Sequence, residues 1–163
     1  MLKYHLLLGT NLGNRIENLK TALKEIAVFG KIEKLSSVYQ TAAWGKENQQ
    51  AFLNQVLVIE TEMKPIELLD KLLKIELELG RVRFEKWGER VIDIDILYQE
   101  QTRLNEEELT IPHPEIQNRR FTLVPLVEID SAFVHPVLMK TQSQLLDQCP
   151  DNLEVEKLNS KPE

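Results

Sequence analysis

The 163-residue chain has a single cysteine, Cys149, so it can form no internal disulfide and offers no paired thiolates for a zinc site. A reducing compartment fits, and we expect the cytoplasm. No apolar run approaches the roughly 20 residues of a membrane span. Leu6-Leu7-Leu8 stops at Gly9, too short for the core of a secretory leader. Excess positive charge is also missing. The formal net charge of −6 argues against a protein built mainly to bind nucleic acid, which carries a basic face. There is no Gly-x-x-x-x-Gly-Lys-Ser/Thr segment, so a nucleotide would have to be held without a P-loop. Internal repeats and low-complexity stretches are absent too. What remains is 42% hydrophobic and 28% charged, enough for one ordinary globular core without staples.

Against that background the stretch Lys86-Trp87-Gly88-Glu89-Arg90-Val91-Ile92-Asp93-Ile94-Asp95-Ile96-Leu97 stands out. A charged, glycine-containing loop runs into an apolar strand with two carboxylates. Side chains alternate along a strand, so Val91, Asp93, Asp95 and Leu97 share one face and Ile92, Ile94, Ile96 and Tyr98 the other. The two aspartates then stand side by side, with Cα atoms about 6.5–7 Å apart. Alone, Asp-x-Asp most often marks a solvated face. Here the opposite face is apolar, and Arg81, Arg83, Lys86 and Arg90 precede the pair. Paired carboxylates next to arginines suit a polyphosphate held between a hard divalent cation, magnesium above all, and guanidinium groups.

The rest of the chain reads as a first strand over 3–9 and then a helix. Asn14 is its N-cap with Glu17 as reciprocal partner; Ile16, Leu19, Leu23 and Ile26 form one face, and Gly30 closes it. Strands are expected over 31–40 and 52–61, separated by a polar loop holding Trp44. Pro65 opens a second helix that runs to Leu79 and stops at Gly80. Glu76 lies toward that helix's apolar side and needs a partner, either Arg81 or another arginine, or a ligand. A short hairpin follows the aspartate strand. Prolines on both sides hold His113 in an extended loop, and the apolar segment Leu123–Ile129 is broken by Pro125. Beyond about residue 135 lies a tail with one short amphipathic stretch, Leu138–Leu146. The order β-α-β-β-α-β is that of a ferredoxin-like α+β fold, an antiparallel sheet with helices on one face, here with a C-terminal extension.

Several blocks carry a closer likeness. These are Leu8-Gly9-Thr10-Asn11-Leu12-Gly13, Ser36-Ser37-Val38-Tyr39-Gln40-Thr41, Phe52-Leu53-Asn54, Glu76-Leu77-Glu78-Leu79-Gly80-Arg81 and Lys86–Leu97. Leu109-Thr110-Ile111-Pro112-His113 and Asn118-Arg119-Arg120-Phe121 complete the set. In this order the chain resembles the 6-hydroxymethyl-7,8-dihydropterin pyrophosphokinase family of folate biosynthesis. The likeness runs from residue 4 to about 133 within a single domain over 1–163, with the tail 135–163 outside it.

The resemblance implies transfer of pyrophosphate from ATP to the pterin alcohol, with release of AMP. It implies two magnesium ions on Asp93 and Asp95, and Arg81, Arg83 and Arg90 as catalytic cations about the phosphates, with Arg83 and Trp87 on a loop that closes over the substrates. Arg83, Trp87, Arg90, Ile96, Thr110, His113 and Arg119 would bind ATP. Thr41, Ala42, Trp44, Phe52, Asn54, Asp93 and Phe121 would bind the pterin, with Asn54 reading its polar edge and Phe52 and Phe121 sandwiching its ring. A monomer with no nucleic-acid or membrane partner is expected. Departures from the family pattern are Pro114 in place of tyrosine, Ala42-Ala43 in place of a proline pair, Trp44 in place of a smaller apolar residue and Arg120 in place of glycine. The rival readings are a magnesium-dependent phosphohydrolase and a non-catalytic ferredoxin-like module that binds a small molecule or RNA.

Overall fold

The computed structural model describes residues 1–42, 50–80 and 91–158. Its elements run β1 (Leu2–Thr10), α1 (Arg15–Ala27), β2 (Lys31–Leu35), β3 (Tyr39–Thr41), β4 (Phe52–Thr61), α2 (Pro65–Glu78) and β5 (Asp93–Gln99). A hairpin of β6 (Leu104–Asn105) and β7 (Thr110–Ile111) follows, then a 3-10 turn at Ile116–Asn118, α3 (Arg120–Asp130), α4 (Gln142–Asp147) and β8 (Glu156–Lys157). The main sheet has the order β5-β1-β4-β3-β8, with β2 also paired to β4, and its ladders are antiparallel.

Local chemistry accounts for the element ends. The Asn14 side chain accepts the Glu17 N–H at 3.1 Å and caps α1, which ends at Ala27, three residues before Gly30. Pro65 opens α2, and Gly80, at φ +91°, supplies the left-handed step that stops it. Where one strand is expected over 31–40 the structure has two. At the break the Ser36 backbone and hydroxyl both bond to Val56, whose N–H donates to Ser36 Oγ at 2.9 Å.

The sheet is covered on both faces, which corrects the expectation of helices on one face only. α1 buries Leu19, Ala22 and Ile26, and α2 buries Leu68, Leu72 and Ile75, against Leu6, Leu8, Leu57, Ile94 and Ile96. On the opposite face α3 and α4 bring Leu123, Leu126 and Leu145 onto Leu7, Val56, Leu97 and Tyr98. Central β1, buried on both sides, is therefore apolar at successive positions. Pro125 does not break its segment. It is buried at the middle of α3, where it leaves the Phe121 carbonyl without its helical N–H partner, and the helix persists because Leu123 and Leu126 pack on the sheet.

A second correction concerns Tyr98. The register of β1 against β5 slips between His5 and Leu6, so that His5 faces Tyr98 while Leu6 faces Ile96. Leu97 is the extra residue of a β-bulge, and the inserted residue turns Tyr98 to the face opposite Ile92, Ile94 and Ile96. There it packs edge-on against His5 and His135 and at a tilt against Phe133. The bulge follows the aspartates, so their alternation survives.

The C-terminal segment is part of this architecture. Asp151 accepts the Arg120 N–H at 3.0 Å at the start of α3, a favourable place for an anion, and β8 pairs with β3. Arg120, which departs from the family pattern, donates from Nε to the Leu153 carbonyl at 3.1 Å and so fastens the same segment.

Candidate active site

The site is built on one cross-strand row. Tyr39 pairs with Asn54, Asn54 with Gly9, and Gly9 with Asp93. Glycine between the amide and the carboxylate leaves a notch in the sheet surface. A Cβ at Gly9 would stand 2.9 Å from Asn54 Nδ2, so the Asn54 side chain occupies the space that the missing side chain vacates. Asn54 is buried and donates from Nδ2 to the Leu8 carbonyl at 3.2 Å, one of the several hydrogen bonds a side-chain amide can make. One row along, Asp95 lies opposite Leu7. Thr41 pairs with Phe52 at the neighbouring end of β4, and the buried Thr41 Oγ1 has no hydrogen-bond partner among the described residues.

Asp93 and Asp95 are both half-buried on this face. Between them Ile94 turns the other way, and its N–H donates to the Glu76 carboxylate at 2.7 Å. Glu76 is 3% exposed, and its α2 helix thereby grips the outer edge of β5 midway between the aspartates. The expected arginine partner at 81 lies outside the described residues. Among the described residues no cluster of three or more metal-ligating side chains occurs. Magnesium does not require one: it is commonly held by one or two carboxylates plus substrate phosphate oxygens and water. Two hard carboxylates side by side fit that cation and would not make a closed zinc or calcium cage.

His113 closes the outer edge of β5, its N–H donating to Leu97 O at 2.9 Å. Burial, with the Arg119 charge in support and Glu115 opposing, pushes the His113 pKa down to about 4. The ring is thus neutral near pH 7. Its Nδ1 accepts the Glu115 N–H at 3.1 Å, so the proton sits on Nε2, a ready donor to an anionic oxygen. Arg119 lies over the Phe121 ring, its Cζ 5.7 Å from the centroid. Phe121 itself packs from the first turn of α3 onto the core of the aspartate face.

The structure thus brings Thr41, Phe52, Asn54, Asp93 and Asp95 together on the sheet, with Arg119 and Phe121 on the segment packed over that face. Thr110 stands apart on the β6–β7 hairpin, where it lines a cavity of about 410 Å³ together with His113 and Pro114. Ile96 is 3% exposed with its side chain in the α1–α2 core, so any contact it makes with a nucleotide is a backbone one. Ala42 is exposed just beyond β3. Trp44, Arg81, Arg83, Trp87 and Arg90 lie outside the described residues.

Two features escape the sequence reading. Gly9 falls within a matched block, but only the register shows what its missing side chain makes room for. Asn18, an unexceptional polar residue on α1, donates from Nδ2 to Thr10 Oγ1, Leu12 O and Val91 O at 3.1, 2.8 and 3.2 Å. It ties the turn after β1 to the chain entering the aspartate strand. Its position one turn after the Asn14 cap was the available signal.

The model of the family 7,8-dihydro-6-hydroxymethylpterin-pyrophosphokinase (HPPK) matches residues 5–131. The 2-amino-4-hydroxy-6-hydroxymethyldihydropteridine pyrophosphokinase of Aquifex aeolicus (strain VF5) is 44% identical over 140 residues, 86% of this chain and 88% of its own. The enzyme of that name from Haemophilus influenzae is 43% identical over 138 residues, 83% of this chain and 86% of its own. Among solved structures, Plasmodium falciparum HPPK-DHPS with pteroate superposes with a TM-score of 0.73 at 18% identity over 90% of this chain. This chain spans 44% of that longer one, and the likeness there is one of fold.

Proposed function

The chain belongs to the 7,8-dihydro-6-hydroxymethylpterin-pyrophosphokinase family, and from that premise we propose how its residues carry the reaction. The reaction is transfer of pyrophosphate from ATP to 6-hydroxymethyl-7,8-dihydropterin in folate biosynthesis. The hydroxymethyl oxygen bonds to the β-phosphorus of ATP as the bond from that phosphorus to the α–β bridging oxygen breaks. AMP leaves, the pterin keeps the β- and γ-phosphates, and the hydroxyl proton is released.

The observation that carries the assignment of residues is the row Asn54–Gly9–Asp93. It sets an amide that can read a heterocycle's donors and acceptors two strands, about 10 Å, from a carboxylate that can hold a metal-bound triphosphate. The Asn54 amide, seated over Gly9, takes the pterin edge, with Thr41 Oγ1 adding a hydrogen bond. Phe52 and Phe121 stack on the two faces of the ring. Asp93 and Asp95 hold two magnesium ions; bound there, magnesium neutralises phosphate charge and aligns the triphosphate. His113 Nε2–H and Arg119 donate to phosphate oxygens. The Ile96 peptide groups face the open edge of β5 in the same sense as Ile94 N–H, and they read the base. Arg81, Arg83, Arg90 and Trp87 complete the phosphate side, and Ala42 and Trp44 the pterin side, on the strength of the family resemblance. The strand order β5-β1-β4-β3, with β2 also on β4, supports a ferredoxin-like topology in one domain, extended by the C-terminal segment.

Asp95→Asn keeps the size and removes the charge. Turnover should fall at least about a hundredfold, with the thermal midpoint within a few degrees of the wild type. Full activity in that variant would remove the metal assignment.

A further inference from the structure

The block Ser36-Ser37-Val38-Tyr39 has no role in the chemistry above, yet it converges on one charged group. The Glu128 carboxylate of α3 accepts the Ser37 N–H at 2.7 Å and the Ser37 hydroxyl at 2.6 Å. It also pairs with the Lys157 ammonium at 3.4 Å. Beside it lies Tyr39, whose hydroxyl is kept protonated by burial and, in addition, by the nearby carboxylate. Groups from the β2–β3 break, from β3 and from the end of β8 therefore gather around a single side chain. The break explains how they reach it. Ser36 stays in the ladder through Val56, and Ser37 is released to turn toward α3.

Each partner is one step from a wall of the pterin site. Tyr39 sits directly opposite Asn54, and Thr41, on the same strand, opposite Phe52. Phe121 precedes Glu128 by seven residues on α3, so it lies on nearly the same helix face about two turns, or ~10.5 Å, away. Fixing Glu128 to Ser37, close to Tyr39, sets how far that face stands from β3 and β4. It thereby sets the gap between the Phe121 ring and the Phe52 ring.

We propose that Glu128 is a positioning residue for the pterin: it docks α3 on β3 so that Phe121 and Phe52 stand one aromatic ring apart beside Asn54. The inference rests on the pterin assignment made above. It makes Ser37 and Tyr39 part of substrate recognition although neither needs to touch the substrate.

The test is steady-state kinetics on the full chain, with the KM for pterin and for ATP measured separately and thermal midpoints in parallel. Glu128→Ala should raise the pterin KM about tenfold and leave the ATP KM within about twofold. Ser37→Ala and Tyr39→Phe should shift the pterin KM in the same direction by less, and Glu128→Gln, which keeps an acceptor oxygen, should recover much of the loss. If Glu128→Ala does not fold, those milder variants decide the matter. The inference is overturned if the variants lower the midpoint while leaving both KM values unchanged or raising them together. Phe121→Ala separates the two levels of the argument. If it raises the pterin KM and Glu128→Ala does not, the positioning role is wrong and the site stands. If it leaves the pterin KM unchanged, the aromatic sandwich itself falls and this inference falls with it.

Discussion

Replacing Gly9 by alanine separates recognition from stability more cleanly than any change to a charged residue. The new Cβ would lie 2.9 Å from Asn54 Nδ2, closer than real methyl groups approach, and the flexible end of Asn54 is what gives way. Rotation breaks the 3.2 Å bond from Nδ2 to the Leu8 carbonyl, at a cost of about 1 kcal/mol. Among the described residues the glycines with positive φ are Gly13 and Gly80; Gly9 is not one of them, so its backbone accepts alanine. Restricting the unfolded chain then returns about 0.4–1 kcal/mol. The two effects nearly cancel, and the thermal midpoint should move by no more than about 4 °C. Binding is another matter. Asn54 turned out of the notch loses its hydrogen bonds to the pterin, worth about 1–3 kcal/mol, or roughly 5- to 150-fold in pterin KM. Differential scanning fluorimetry and AMP-release kinetics on the same preparation give both numbers. A Gly9→Ala enzyme with the pterin KM of the wild type would refute the notch, and so would one whose only defect is a midpoint lowered by tens of degrees.

Glu76→Ala strands the buried Ile94 N–H and should cost about 1–3 kcal/mol in urea unfolding, while Glu76→Gln, which can still accept that bond, should cost less. His113 gives a pH signature. The unfolded chain binds a proton on this residue below its ordinary pKa of 6.5, and the folded chain does so only below about 4. Unfolding therefore takes up a proton between those values. The stability contributed by the neutral ring is fully present above pH 6.5 and is lost as pH falls toward 4, to a total of about 3 kcal/mol. Comparing midpoints of the wild type and His113→Gln across that range should show the gap closing as the pH falls; parallel curves would contradict the neutral, buried ring.

Legibility varied with how local the controlling physics is. The bounds of β4 and the start and stop of α2 follow from local signals, namely an apolar run, Pro65 and Gly80, and the structure keeps them. The alternation that puts Asp93 and Asp95 on one face is local too. Simple alternation puts Tyr98 on the wrong face because a bulge at Leu97 depends on how β5 meets β1, which no single strand reveals. Pro125 predicts a break by local rules, yet it stands at the middle of α3, where packing of Leu123 and Leu126 on the sheet outweighs one lost helical hydrogen bond. That packing, and with it the second covered face of the sheet, is a tertiary effect no local signal carries. Glu76 was legible as a carboxylate in need of a partner, but a backbone amide eighteen residues on could not be named from sequence. The Glu128 cluster draws on segments about ninety residues apart in the chain. Such a group shows itself only once the sheet is assembled.

The most direct test of the central claim is to incubate the protein with ATP, magnesium and 6-hydroxymethyl-7,8-dihydropterin and follow the nucleotide by phosphorus NMR. The account requires AMP that appears only when the pterin is present, together with a new diphosphate ester signal on the pterin. ADP as the nucleotide product, or AMP formed equally well without the pterin, would contradict it.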